Sequence, residues 1–162
     1  MHDKPVFTNG KIHDVLVRPL TKHLDERGWL AELFRKDEIG EDVMPTMAYI
    51  SMTLPGIARG PHEHVEQTDC FCFLGPSNFK VYLWDRREDS PTCRTRQVFY
   101  AGIDAPAMVV IPPGVVHAYK NVGAENGIVF NAPNRLYAGE GKKQPVDEIR
   151  HEDMEGSPFR LD

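Results

Sequence analysis

The sequence lacks the features of several protein classes. No apolar run approaches the roughly 20 residues that a membrane-spanning helix needs, and residues 1–5 contain no apolar core of a signal peptide. Acidic and basic residues are interspersed, and the formal net charge is −5, so the chain has no basic surface suited to nucleic acid. We therefore expect a cytoplasmic protein that binds neither membranes nor nucleic acid.

Cysteine is also scarce. Cys70, Cys72 and Cys93 are odd in number, and their spacing matches no paired metal motif. So small a set argues against the disulfide framework that stabilises many small secreted domains. We expect reduced thiols packed inside the protein.

Short β-forming runs fill the second half of the chain. They are separated by turns rich in proline and glycine and cover residues 70–74, 79–84, 95–100, 107–111, 115–120 and 127–130. Strands at this spacing predict an all-β sandwich or barrel, and 162 residues fit a single domain spanning 1–162. The polar tail from residue 138 is expected to pack over the barrel, with at most a short helix at 146–151 and with His151 at the surface.

Histidines mark the candidate site. His62 and His64 are two residues apart in a predicted strand, so their side chains are expected on the same face. His117 follows a Pro-Pro-Gly turn, and the next strand could bring it beside the first pair. The sequence therefore predicts a cluster of imidazoles inside the barrel.

The spacing of these histidines resembles the metal-binding pattern of the cupin superfamily, whose fold is a jelly-roll barrel. Asp69 falls at the acidic position of that pattern, so the resemblance implies a divalent transition metal held by His62, His64, Asp69 and His117. The alternative is a metal-free barrel in which these histidines perform acid–base chemistry or contact one another in the cavity.

A closer resemblance covers nearly the whole chain. Four motifs occur in order: Asp-Glu-Arg-Gly at 25–28, Arg-Gly-Pro-His at 59–62, Ser-Pro-Thr at 90–92 and Ile-Pro-Pro-Gly-Val-Val-His at 111–117. In these motifs the sequence is similar to the dTDP-4-dehydrorhamnose 3,5-epimerases. The resemblance implies a double-stranded β-helix, no cofactor, a homodimer, and an isomerase that removes protons next to the ketone of a nucleotide-linked 4-keto-6-deoxy sugar.

The resemblance also implies roles for individual residues. His62 would be the catalytic base, and Asp153 would orient and charge it. The residues implied in substrate binding, with Trp29 stacking on the nucleotide base and Arg59 facing the diphosphate or the sugar, are Arg27, Trp29, Glu32, Arg59, His117 and Tyr137.

Two positions depart from the family pattern. Asp69 lies near the place of a lysine, and Phe130 takes the place of the proton-donating tyrosine, so Tyr49, Tyr119 or Tyr137 would have to supply the proton. Gaining His64 and Asp69 while losing a lysine favours the metal alternative, in which an ion would stabilise the enolate and His62 would be a ligand instead of a base. Two other functions stay open: a metal-dependent cupin with another small substrate, and a non-catalytic sugar-binding barrel.

Overall fold

The computed structural model describes residues 6–162; residues 1–5, on which the expectation about a signal peptide bears, lie outside this range. The described residues form thirteen strands, which are β1 Thr8–Asn9, β2 Leu16–Pro19, β3 His23–Asp25, β4 Gly28–Leu30, β5 Tyr49–Thr53, β6 Ala58–Glu63, β7 Asp69–Phe73, β8 Asn78–Asp85, β9 Thr95–Gly102, β10 Ala107–Ile111, β11 Val115–Asn121, β12 Gly127–Asn131 and β13 Ile149–Arg150. Two short 3₁₀ helices cover Glu41–Val43 and Glu140–Lys142. Across 6–162, no helix has the length and apolar character needed to cross a bilayer.

Two facing sheets form the barrel. The six-stranded sheet has the order β1-β9-β8-β11-β6-β13, and the five-stranded sheet has the order β2-β10-β7-β12-β5. All pairings in them are antiparallel except the one between β1 and β9. The predicted double-stranded β-helix is confirmed. A separate hairpin, β3–β4, stands apart from both sheets.

Alternating side chains build the interior between the sheets. In β7, Phe71 and Phe73 point inward, and in β8 Phe79 and Val81 do the same; all four are buried in one apolar cluster. Burying an aromatic or aliphatic side chain of this size contributes about 1.5–3 kcal/mol. This cluster closes one part of the barrel interior, while the inward residues nearer the other end are polar.

The C-terminal tail covers the outer face of the six-stranded sheet, as expected. Phe159 packs against Trp84 with ring centroids 5.6 Å apart, and β13 pairs with β6. The short helix expected at 146–151 is instead extended chain leading into β13, because its backbone completes the edge of the sheet. His151 is buried and contacts Glu63 Oε1 through Nε2 at 2.7 Å, so the surface position expected for it was wrong.

The outer face of the five-stranded sheet is covered by the segment between β2 and β5. A second apolar cluster lies between this segment and the sheet. It contains Cys70, Cys72, Ile39 and Met108, and Phe130 packs against it. Both cysteines are buried free thiols, as expected, whereas Cys93 is an exposed free thiol.

Candidate active site

The histidine cluster lies where β6, β7 and β11 meet the interior. His62 of β6 and His117 of β11 are directly paired across the antiparallel ladder, and their ring centroids are 4.4 Å apart. β6 ends at Glu63, so His64 lies just beyond the strand, yet its ring centroid is only 5.8 Å from that of His62. Asp69 begins β7 on the facing sheet.

These four residues converge closely. One ligand atom from each of His62, His64, Asp69 and His117 lies within 4.8 Å of all the others. Asp69 Oδ2 is 3.2 Å from His64 Nε2 and 3.2 Å from His117 Nε2. The structure therefore brings together the four residues that the sequence suggested for a metal.

Backbone carbonyls orient two of the rings. His117 Nδ1 lies 3.0 Å from the carbonyl oxygen of Val115, and His64 Nδ1 contacts the carbonyl oxygen of Asp147. A carbonyl oxygen only accepts, so each Nδ1 carries the hydrogen and donates it. In the neutral ring this leaves the lone pair on Nε2, and both Nε2 atoms face Asp69.

The carboxylate of Asp69 is held at one oxygen and unpartnered at the other. Oδ1 accepts hydrogen bonds of 2.9 Å from the side-chain amides of Gln67 and Asn131. Asp69 Oδ2 and His117 Nε2 are both buried, and the part of the chain that the structure describes offers neither of them a hydrogen-bond partner. Burial raises the pKa of Asp69, but contacts with His117 and His64 outweigh it and lower that pKa far below its usual range.

The two histidines of the 62–64 stretch have opposite protonation tendencies. Burial lowers the pKa of His62 to about 2, and the neighbouring His117 and His64 rings act in the same direction. Burial also opposes protonation of His64, yet the Asp69 carboxylate, 3.2 Å from its Nε2, raises its pKa to about 9. At neutral pH His62 is therefore neutral, whereas His64 is protonated.

The carboxylate near His62 comes from Glu148, which the sequence interpretation did not include. Glu148 Oε1 is 4.0 Å from His62 Nε2, because pairing of β13 with β6 sets Arg150 opposite His62 and brings the preceding residues alongside. Asp153 is exposed in a turn beyond β13 and does not line the cavity. The structure thus does not bring Asp153 to His62.

An open cavity of about 900 Å³ adjoins the cluster. Its lining includes the predicted residues His62, Arg59 and Tyr137. The Arg59 guanidinium is tied to β5 through Thr53 Oγ1 at 3.0 Å and the Met52 carbonyl oxygen at 2.7 Å. A cavity of this size falls in the range of small-molecule sites.

Tyrosine hydroxyls line the same cavity from both sheets. Tyr119 of β11 shares a 3.0 Å hydrogen bond with Ser51, and Tyr49 of β5 accepts a 2.8 Å hydrogen bond from Asn131 Nδ2. Burial raises the pKa of Tyr49 to about 12. Both side chains are therefore protonated hydroxyls at neutral pH.

Phe130 does not face this cavity, contrary to the sequence interpretation. It pairs with Cys72 and Ile50, and its ring packs on the outer face of the five-stranded sheet. The adjacent Asn131 points inward, since neighbouring side chains in a strand point to opposite faces. Asn131 holds the inward position that the sequence interpretation had given to Phe130.

Three residues predicted to bind substrate lie away from the cavity of their own chain. Arg27 and Trp29 belong to the β3–β4 hairpin and are exposed, and Arg27 pairs with Asp25. Glu32 follows the hairpin and lies 3.5 Å from Arg35. Of the lining residues in the described chain, none comes from this hairpin.

Asp147 was also missed from the sequence, although it fixes the loop after β6. Its carboxylate accepts hydrogen bonds of 2.8–3.0 Å from the backbone N–H groups of residues 65–67, and its carbonyl oxygen holds His64. The partners are about 80 residues apart, so no local pattern indicated them.

Two facing sheets and a histidine-lined cavity define this chain as a barrel of the cupin class. The sequence profile of the dTDP-4-dehydrorhamnose 3,5-epimerases matches residues 9–153, and the chain belongs to that family, whose members are sugar epimerases.

Relatives agree with this assignment. The probable low-salt glycan biosynthesis epimerase Agl13 of Haloferax volcanii is 41% identical over 128 residues, covering 78% of this chain and 81% of that protein. The spore coat polysaccharide biosynthesis protein SpsL of Bacillus subtilis is 38% identical over 112 residues, covering 69% of this chain and 73% of SpsL. A dTDP sugar isomerase from Desulfovibrio desulfuricans G20 shares the fold, with a TM-score of 0.79, 22% identity and coverage of 92% of this chain and 91% of its own.

Proposed function

We propose that this protein is a nucleotide-sugar epimerase of glycan or polysaccharide biosynthesis, acting on a 4-keto-6-deoxy sugar linked to a nucleoside diphosphate. The observation that carries the proposal is a half-buried histidine, His62, lining an open cavity of about 900 Å³ in a chain of a sugar-epimerase family. A cytoplasmic location and a single domain over residues 1–162 stay predictions.

The reaction is a proton transfer in two steps. His62 takes the proton from the carbon next to the ketone, and the C–H electron pair moves into an enolate. A donor on the opposite side then returns a proton to the same carbon, which inverts it. No electrons are gained or lost overall, so the proposed chemistry requires no redox cofactor.

Glu148 is the carboxylate suited to assist His62. It lies 4.0 Å from His62 Nε2 and is bonded to Arg150 on its other side, with Nε at 2.9 Å from Oε2. An adjacent carboxylate stabilises the imidazolium that forms when the ring accepts a proton. We assign to Glu148 the positioning role that the sequence resemblance gave to Asp153.

Tyr49 is the proposed proton donor. It stands on the sheet that faces the sheet of His62, so the sugar can lie between them. Its hydroxyl oxygen accepts from Asn131, which leaves the hydroxyl hydrogen free for a substrate carbon or oxygen. Tyr119, whose hydroxyl is bonded to Ser51, is less available.

In a homodimer, Arg27, Trp29 and Glu32 would contact the substrate bound in the second copy. The β3–β4 hairpin exposes Leu24, Trp29 and Leu30, with 80%, 53% and 65% of their surfaces accessible. Exposed apolar side chains on both faces of a hairpin favour contact with another protein surface. We propose that the hairpin reaches the cavity of a second copy, where Trp29 contacts the nucleotide base.

Isotope exchange tests the proposal. We expect incubation with dTDP-4-keto-6-deoxyglucose in heavy water to place deuterium on the carbons beside the ketone, detected by mass spectrometry and NMR. His62→Asn should abolish the exchange, whereas His13→Asn, an exposed histidine remote from the cavity, should retain it. Tight binding of the sugar nucleotide with no exchange over hours would identify a non-catalytic binding protein and exclude the epimerase.

A further inference from the structure

Three donor atoms meet at one buried point in a spacing that suits a metal ion. Asp69 Oδ2 is 3.2 Å from both His64 Nε2 and His117 Nε2. Ligand atoms bound about 2.1 Å from one ion, at angles of about 90–110°, are separated by about 3.0–3.4 Å. Asp69 Oδ2 therefore already lies at the separation of neighbouring ligands from both nitrogens, and one ligand atom from each residue lies within 4.8 Å of the others.

The hydrogen-bond pattern turns the Nε2 atoms of His64 and His117 toward the same carboxylate oxygen. Backbone carbonyls engage the Nδ1 atoms of His64 and His117, so Nε2 is the nitrogen that each ring offers to an ion. His64 Nε2 also has the side-chain amide of Gln67 at 3.2 Å, and a bound ion would take the place of the proton on this ring. Asp69 and His117 are only 1% and 2% exposed, and within residues 6–162 neither Asp69 Oδ2 nor His117 Nε2 has a hydrogen-bond partner. Buried polar atoms without partners are costly, and a cation shared with His64 would satisfy both of them.

Each of the three donors also has a second contact that fixes its direction. The Asp147 and Val115 carbonyls orient the two rings, and Gln67 and Asn131 hold the remaining oxygen of Asp69. Such outer-shell partners are typical of metal sites, where they set the histidine tautomer and the direction of the ligand. The three donor residues are thus held in place by a second set of hydrogen-bond partners.

His62 differs from the other three residues. Its Nε2 has Glu148 Oε1 at 4.0 Å, whereas the Nε2 atoms of His64 and His117 have Asp69 Oδ2 at 3.2 Å. His62 also lines the open cavity with His64, while Asp69 and His117 lie behind them. A metal held by the three inner donors would keep open positions toward the cavity and leave the His62 lone pair unused.

We propose that His64, Asp69 and His117 bind one divalent transition-metal ion and that His62 stays outside its coordination sphere. Two imidazoles and a carboxylate suit iron, manganese, nickel or zinc. The ion would polarise the ketone oxygen while His62 removes the proton, a role that rests on the proposed function; the binding of the ion does not. The metal and a free His62 base are then compatible, whereas the sequence interpretation made them exclusive.

Metal binding by the untagged full chain tests this site. The protein is purified without chelators and its metal content measured by plasma mass spectrometry; it is then stripped and titrated separately with Fe²⁺, Mn²⁺, Ni²⁺ and Zn²⁺ in a calorimeter. We expect binding of one ion per chain. An absence of metal in the purified protein together with no binding of any of the four ions would overturn the site.

Variants test which residues are ligands. Asp69→Asn keeps the side-chain shape and should lose more affinity than the roughly 10–100-fold cost of removing an outer-shell partner. His64→Ala, beyond the end of β6, should do the same without disturbing a strand, which covers the case that Asp69→Asn does not fold. His62→Asn and the surface control His13→Ala should bind as the wild type does. Loss of the metal in His62→Asn, or its retention in folded His64→Ala, would overturn the assignment.

Heavy-water exchange separates this proposal from the proposed function. Exchange catalysed by a protein that binds no metal would end the metal proposal and keep the epimerase. Stoichiometric metal binding without exchange would end the epimerase and keep the metal site.

Discussion

Asn131 donates a 2.8 Å hydrogen bond from its side-chain amide to the hydroxyl oxygen of Tyr49. The same amide nitrogen donates to Asp69 Oδ1 at 2.9 Å, so one side chain connects the histidine cluster to the facing sheet. Asn131 and Tyr49 are directly paired in the β5–β12 ladder, which fixes their relative positions. The hydroxyl of Tyr49 is therefore held at the cavity wall by a bond that uses its oxygen and not its hydrogen.

Replacing Tyr49 should separate proton removal from inversion. In Tyr49→Phe, His62 can still take a proton and return a deuteron to the same face, so we expect deuterium exchange to continue. Formation of the inverted sugar should fall by about 10²–10⁴-fold, the usual contribution of a positioned acid. NMR of the product in heavy water measures both processes in one sample.

Tyr119→Phe is the matched control for Tyr49→Phe, since it removes a second cavity hydroxyl that is already bonded to Ser51. We expect it to affect inversion far less. Equal losses of inversion in both variants, or normal inversion in Tyr49→Phe, would remove Tyr49 from the proton-donor role.

Variants of Glu148 and Asp153 test which of the two carboxylates supports His62. Glu148→Gln keeps the shape but removes the charge 4.0 Å from His62 Nε2, so kcat should fall while KM changes little. Asp153→Asn alters an exposed carboxylate outside the cavity and should leave kcat unchanged. Steady-state kinetics of the two variants decide between them, and the reverse order would return the role to Asp153.

The Ser-Pro-Thr motif at 90–92 has a structural role around Asp85. The hydroxyls of Ser90 and Thr92 donate to Asp85 Oδ2 at 2.6 and 2.7 Å, and Arg87 Nε donates to Oδ1 at 2.9 Å. Asp85 is fully buried. Burial raises the pKa of Asp85, but these hydrogen bonds outweigh it and lower the pKa from 3.8 to about 2.

This pKa shift predicts a loss of stability in acid. Because the pKa is lower in the folded state, the ionised carboxylate stabilises the fold above pH 3.8, and this contribution disappears as the pH falls toward 2. Its size at neutral pH is about 2 kcal/mol, at roughly 1.4 kcal/mol per pKa unit. Urea unfolding of wild type and Asp85→Asn should give a free-energy difference that is constant above pH 5 and narrows toward pH 2. A difference that stays constant to pH 2 would contradict the assignment.

The fold was more predictable than the site because its signals are local. Runs 70–74 and 107–111 alternate or are continuously apolar between turn residues, and they appear as β7 and β10 within one residue of the expected ends. The site depends on residues from distant parts of the chain. Glu148 and Asp147 reach the histidines through pairing of β13 with β6, and the tail sequence has no pattern that identifies this partner.

An error of one position in a strand changes the face on which a side chain lies. Sequence comparison put Phe130 at the place of a catalytic tyrosine, but the ladder with β7 pairs Phe130 with the outward Cys72 and Asn131 with the inward Phe71. Because the side-chain period is two, only the strand register could decide which of the two residues enters the cavity.

Phe130→Tyr tests this register directly. If Phe130 faced the cavity, the added hydroxyl would supply a proton donor and raise the rate of inversion. In the structure the ring packs on the outer face of the five-stranded sheet, next to the apolar cluster of Cys70, Cys72 and Met108. We therefore expect inversion at the wild-type rate, with a lower melting temperature if the new hydroxyl lacks a partner in that cluster. Combining Phe130→Tyr with Tyr49→Phe sharpens the test, since a rescue of inversion in the double variant would show that position 130 reaches the substrate after all.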